Sequence, residues 1–125
     1  MKSVITTNNA PKAVGPYSQA IVTESLVFLS GQIPLNPKTG VIESDDIKLQ
    51  TKQVLDNISA VLRAASLSFE DIVKTTVYLT DIADFSAVNE VYEKYFGIKP
   101  PARSAVAVAA LPKGAKVEIE VIASR

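Results

Sequence analysis

The chain has no histidine and no cysteine among its 125 residues. Without cysteine there are no disulfides, no thiol nucleophile and no thiolate metal ligand. Without histidine there is no imidazole base and no triad or zinc site built on one. Chemistry is left to carboxylates, hydroxyls, Lys, Arg, backbone groups and water. An all-carboxylate metal site would need a clustered acidic loop, and no Asp-x-Asp-x-Asp-Gly pattern occurs, so no metal is expected. An excess of charge of either sign is also missing: 13 Lys and Arg balance 13 Asp and Glu, with no basic cluster. This removes the electrostatic footprint expected for nucleic acid or an anionic membrane surface. No apolar run approaches the ~18 residues of a membrane span. Residues 1–13 lack the apolar stretch of a signal peptide. A cytoplasmic location is the expectation.

What is present reads as one globular domain over residues 1–125, with 47% hydrophobic and 21% charged residues. Lys2 to Thr7 reads as a short strand, and Ala10-Pro11 and Gly15-Pro16 then punctuate a turn-rich piece. Gln19 to Val22 and Leu26 to Ser30 are further strands, broken at Gly31-Gln32-Ile33-Pro34. A helix is expected from Asp45 to Ala65, capped by Ser44, with Ile47, Thr51, Val54, Ile58, Val61, Leu62 and Ala65 in one stripe. Ile72 to Thr80 is the most β-branched run and reads as a strand. Asp84 opens a second helix with the stripe Phe85, Val88, Val91, Tyr92, Tyr95 and Phe96, ended by Gly97. The order β-β-β-α-β-α-β-β predicts an α+β fold, one sheet with two helices on one face. The other face would carry Ala, Val and Ile of the last two strands, an apolar patch that self-association would cover.

The last two strands are expected to form a hairpin about the turn Leu111 to Ala115. Val117, Ile119, Val121 and Ala123 alternate with Lys116, Glu118 and Glu120. The strand before the turn is small and apolar on both faces, as in a strand covered on both sides. Into it the chain places Arg103. A guanidinium in such a run needs an anion. It is either paired with a carboxylate of the protein or offers its planar fork to a ligand carboxylate. Ala105 and Ala107, on the same strand face, leave room beside it and favour the ligand.

Glu118 and Glu120 lie two apart on one strand face, roughly 7 Å from each other. They are either a solvated pair, or one is held in a cleft with its proton affinity raised by burial and by its neighbour, ready to act as acid or base on water. In the expected hairpin Glu118 falls opposite about Val108, roughly 16 Å from Arg103. The two could then share one small substrate only from different subunits. Tyr17 and Ser30 sit at strand ends where hydroxyls can face a cleft. Gly31 either admits a close approach or simply permits a turn. Asn89 lies off the apolar stripe of the second helix.

As a set, these residues resemble the RidA/YjgF family of reactive intermediate deaminases. The matching pieces run nearly end to end: Asn9-Ala10-Pro11, Gly15-Pro16-Tyr17-Ser18-Gln19, Ser30-Gly31-Gln32-Ile33-Pro34, Gln53 to Leu62, Val73 to Val77, Val88 to Tyr92, Pro101-Ala102-Arg103-Ser104, Ala109 to Lys113 and Val117 to Glu120. The resemblance implies a chorismate-mutase-like subunit assembling as a homotrimer with clefts between subunits. It implies hydrolysis of 2-imino acids, such as 2-iminopropanoate and 2-iminobutanoate left by pyridoxal-phosphate enzymes, to 2-oxo acids and ammonia, with no metal or organic cofactor.

Carried over by position, Arg103 binds the substrate carboxylate, and Glu118 positions or activates the attacking water and relays a proton. Tyr17, Ser30, Gly31 and Asn89 line the cleft. One departure is Ala105, where many relatives carry cysteine, which puts any thiol role in doubt here. Two rival readings use the same fold: a non-catalytic trimer that senses a 2-oxo acid through Arg103, and a ribonuclease or translation inhibitor, which the neutral charge disfavours.

Overall fold

A computed structural model describes residues 1–125. Six strands, β1 (Ser3–Ile5), β2 (Ala20–Val22), β3 (Leu26–Gln32), β4 (Ile72–Leu79), β5 (Ala102–Ala107) and β6 (Val117–Ser124), form one sheet in the order β1-β2-β3-β6-β4-β5. All neighbours are antiparallel except β4 and β5, which are parallel, so the sheet is mixed. Helices α1 (Ile47–Ala64) and α2 (Phe85–Tyr95) supply one face of the core. The expected α+β architecture is the one observed.

The alternation of β6 explains its central place. Val117, Ile119, Val121 and Ala123 are buried against the helices. From α1, Val54, Leu55, Ile58, Val61 and Leu62 meet them without exposed surface. Each such side chain removed from water contributes about 1.5–3 kcal/mol. Helix α1 starts two residues later than expected. Asp46, not Ser44, is its cap, accepting from the Leu49 amide at 2.9 Å, while Ser44 accepts from the Asp46 amide. Asp84 stands at the N-cap of α2, just before Phe85, but makes no side-chain capping bond. Helix α2 is tied to the sheet instead by the Thr75 and Tyr92 hydroxyls, 2.7 Å apart in the core.

The expected hairpin of the last two strands does not form. Strand β5 pairs with β4, Arg103 opposite Thr75 and Val106 opposite Tyr78, and β6 inserts between β4 and β3. Residues 108–116 carry the chain back over β4, with Lys113 at φ 57° and Gly114 at φ 71° turning it. A strand spacing of only ~4.8 Å lets so short a connection reach the second neighbour as readily as the first. In consequence β5 is an edge strand, and all of it but half-buried Ala105 is exposed in the single chain, not covered on both sides.

The second face also differs from expectation. The Val, Ile and Ala residues of β6 point at the helices. The open face is mixed: Phe28, Ile122 and Val106 share it with Tyr78, Thr76, Glu118 and Glu120.

Candidate active site

Strand β3 shifts register against β6 between Leu29 and Gln32, and Ser30 and Gly31 occupy the shift. Bulges of this kind re-aim side chains and open the ladder locally. Here the room is taken by Glu118. A β-carbon at residue 31 would overlap Glu118 Oε2 and stand 2.9 Å from its Cδ. Gly31 is therefore required for the close approach of a side chain of its own subunit, rather than for a turn. Its φ is not in the left-handed region. Alanine at 31 is thus acceptable to the backbone and clashes only with the carboxylate. Gly31→Ala should swing Glu118 out of its seat at little cost to stability, because the group that must move is the outer end of a flexible side chain beside an open cavity. Thermal unfolding and a crystal structure of the variant check this, and an unmoved Glu118 would contradict it.

Glu118 opens on a cavity of about 560 Å³ that Tyr17, Ser30 and Gly31 also line. Ser30 donates its hydroxyl to the Ser18 carbonyl at 2.6 Å, so toward the cavity it can only accept. Tyr17, half exposed, accepts from the Val14 amide at 3.4 Å and keeps its own hydrogen free to donate. The loop carrying Tyr17 is fixed by Gln19, buried, whose amide nitrogen donates to the Thr7 and Pro11 carbonyls and whose oxygen accepts from the Thr7 amide. Burial, and after it the charge of Glu120, raises the proton affinity of Glu118 above that of an ordinary glutamate. Four of the expected site residues thus meet in one cleft.

Arg103 and Asn89 are elsewhere. Arg103 lies opposite Thr75, whose side chain is in the core, and so faces the helices, whereas Glu118 faces the open side. Their α-carbons are roughly 14 Å apart, three residues along and two strands across. The expected separation holds, but for a different reason: opposite sheet faces, not distance along a hairpin. Arg103 Nη1 donates to Asn89 Oδ1 at 2.7 Å, and its guanidinium lies 5.0 Å from the ring centre of Phe85 and 4.9 Å from that of Tyr92. No carboxylate pairs with it, since the ion pairs of the chain are Lys48–Glu90 and Lys52–Asp56. A second cavity of about 560 Å³ opens beside it, lined in part by Asn89, Tyr92, Pro101 and Arg103.

Phe85 and Tyr92 were expected only as core. Their positions, four before and three after Asn89, put all three on one side of α2, which is the signal that they also form the bed of Arg103. Burial raises the Tyr92 hydroxyl's proton affinity, opposed by its Thr75 bond and the Arg103 charge, so the phenol stays neutral beside the cation.

One mixed sheet and two helices on one face define a small α+β protein with two separate clefts, one holding a carboxylate seated on a glycine bulge and the other an unpaired arginine at the sheet edge. Comparison with known proteins places it further. A family model described as Endoribonuclease L-PSP matches residues 7–125. A RutC family protein of Pyrococcus horikoshii is 58% identical over 123 residues, covering 98% of each chain. The human protein named 2-iminobutanoate/2-iminopropanoate deaminase is 47% identical, covering 98% of this chain and 90% of its own. The solved structure of a conserved Rid family protein from Yersinia pestis superposes with a TM-score of 0.98 at 56% identity over the whole of both chains. The chain belongs to the RidA/YjgF family. No helix of the structure is long and apolar enough to cross a membrane.

Proposed function

We propose that this protein is a 2-iminobutanoate/2-iminopropanoate deaminase, working without metal or organic cofactor as a cytoplasmic homotrimer whose sites lie between subunits. The observation that carries the reading is Arg103: a cation at an exposed edge, held only by an amide oxygen and two rings, with no anion of its own chain. Its oriented fork suits the carboxylate of a small 2-imino acid. The carboxylate that would handle water, Glu118, is on the other sheet face, so one substrate can reach both only when a second subunit brings its own edge to the cleft.

In that arrangement Arg103, steadied by Asn89, binds the substrate carboxylate. Glu118 of the neighbour accepts a proton from water as the water oxygen bonds to the imine carbon. That proton passes to the nitrogen to give a tetrahedral amino-alcohol. Its hydroxyl proton then moves through Glu118 to the nitrogen as the O–H electron pair forms the carbonyl and the carbon–nitrogen bond breaks with its pair leaving on nitrogen. The 2-oxo acid and ammonia depart, and Glu118 is again ionised. A carboxylate with raised proton affinity suits this relay. Tyr17 donates toward, and Ser30 accepts from, whatever lies in the cleft. The endoribonuclease of the family description has little support in this chain, whose 13 positive and 13 negative charges provide no basic surface for RNA.

Complementation tests the shared site. Arg103→Ala and Glu118→Gln are each expected to be inactive alone. Random one-to-one remixing makes about three quarters of the trimers mixed, each rebuilding roughly one site in three, so about a quarter of wild-type activity should return. A mixture as inactive as its parts would place both residues in one subunit's site, or neither, and sink the proposal.

A further inference from the structure

The mechanism leaves Tyr78 and Glu120 unused, yet they stand on the same face as Glu118 and beside it. Tyr78 is directly opposite Glu118 across the β4–β6 ladder, and Thr76 is opposite Glu120. The Tyr78 side chain therefore reaches diagonally past Glu118, and its hydroxyl donates to Glu120 Oε1 at 2.5 Å. Glu120, like Glu118, lines the cleft.

We infer that Tyr78 is a positioning residue: its hydroxyl holds the Glu120 carboxylate in place beside Glu118, and through that fixed charge sets how readily Glu118 takes up a proton. Glu118 and Glu120, on one face of one strand, are separated by roughly 7 Å, close enough for one charge to act on the other through a partly excluded solvent. Left free, the Glu120 side chain could turn its charge out into water, where screening would remove most of its influence.

Several other groups face Glu118. From the loop before β2 come Lys12 and Tyr17, from the turn before β6 comes Lys113, and Lys74 lies further along the Tyr78 face of β4. None of the lysines is within ion-pair distance of either glutamate. Glu120 is thus the neighbouring charge with the strongest hold on Glu118, consistent with the direction in which Glu118 is displaced. The phenol itself is held protonated, first by its bond to Glu120 and then by burial, so it remains a donor across the range in which carboxylates titrate.

The inference rests on the deaminase reading for what Glu118 does with its proton, but its test does not. Carbon-13 labelling of the glutamate carboxyls in the assembled protein lets the Glu118 midpoint be read by NMR, assigned by its loss in Glu118→Gln. Glu120→Gln is expected to lower that midpoint by about one pH unit. Tyr78→Phe, which keeps the ring, should lower it roughly half as far, and Tyr78→Phe in the Glu120→Gln background should lower it no further. The acid limb of kcat/KM should move with the midpoint in each variant.

An unchanged midpoint in Tyr78→Phe would overturn the inference. So would an additional fall in the double variant, because Tyr78 would then act on Glu118 directly. If wild-type protein released no ammonia, the deaminase reading would fall while the titration still decided the role of Tyr78.

Discussion

Arg103→Ala should lower kcat/KM for a 2-imino acid by about 10³-fold or more, through loss of a charge-assisted clamp and of the orientation it imposes. The fold should hardly notice. Arg103 sits on an exposed edge strand and gives up one bond to Asn89 and its contacts with two rings, each of the latter contributing about 0.5–1 kcal/mol at an exposed site. Arg103→Lys should also fail to restore the rate, because a point charge on a flexible stem neither pairs bidentately nor lies flat on Phe85 and Tyr92. The assay is ammonia release from an imine generated in situ by threonine dehydratase. Thermal unfolding and sedimentation confirm that fold and assembly survive. Near-normal turnover in Arg103→Ala would remove the basis of the deaminase assignment.

Glu118→Gln should separate catalysis from binding. The glutamine fills the same seat over Gly31, so 2-oxo-acid binding should stay within a few-fold of wild type. The rate should drop by about 10²–10⁴-fold, the usual range for losing a positioned acid–base group. A sensor without catalysis would show no ammonia release before the change or after it.

The same substitution has a stability signature with a definite sign. The folded protein holds the Glu118 proton more tightly than the unfolded chain does, because burial and then Glu120 disfavour the carboxylate. Between the ordinary value of 4.5 and the raised one, the folded state carries the extra proton, so stability falls as pH rises through that window. At neutral pH the ionised Glu118 is a cost, and Glu118→Gln should be the more stable protein. Solvent still reaches this half-buried group, so the gain is discounted to under about 1 kcal/mol. The advantage should vanish below the ordinary carboxylate value. Denaturant unfolding of the two proteins at neutral and acid pH measures it, and a less stable variant at neutral pH would show that Glu118 is not strained in its seat.

Elements whose identity is local were legible without coordinates. The stripe from Ile47 to Leu62 places α1 within two residues of its true start, and the β-branched run from Ile72 is β4 with one residue to spare. The alternation of Val117, Ile119, Val121 and Ala123 identifies the buried side of β6 correctly. The site residues were legible as chemistry: once His and Cys are absent, an arginine in an apolar run and a pair of strand glutamates are the groups left to carry a reaction. What failed was pairing. The run from Ala102 to Ala107, small on both faces, reads as a central strand and is an edge. Its turn reads as a hairpin and is a crossover.

Periodicity and residue type are properties of a few adjacent positions, and they determined here the strands, the helices, the absence of thiol and imidazole chemistry, and which side chains carry charge. Sheet order depends on which apolar surfaces meet, and this is settled only when the whole core packs. Tertiary structure alone inserted β6 between β3 and β4, put Arg103 and Glu118 on opposite faces, seated Glu118 in the space a missing β-carbon leaves at Gly31, and brought the Tyr78 hydroxyl onto Glu120. The neighbours that build the site, Arg103 beside Thr75 and Glu120 beside Tyr78, are separated by tens of residues of chain, and no local pattern of side chains encodes them.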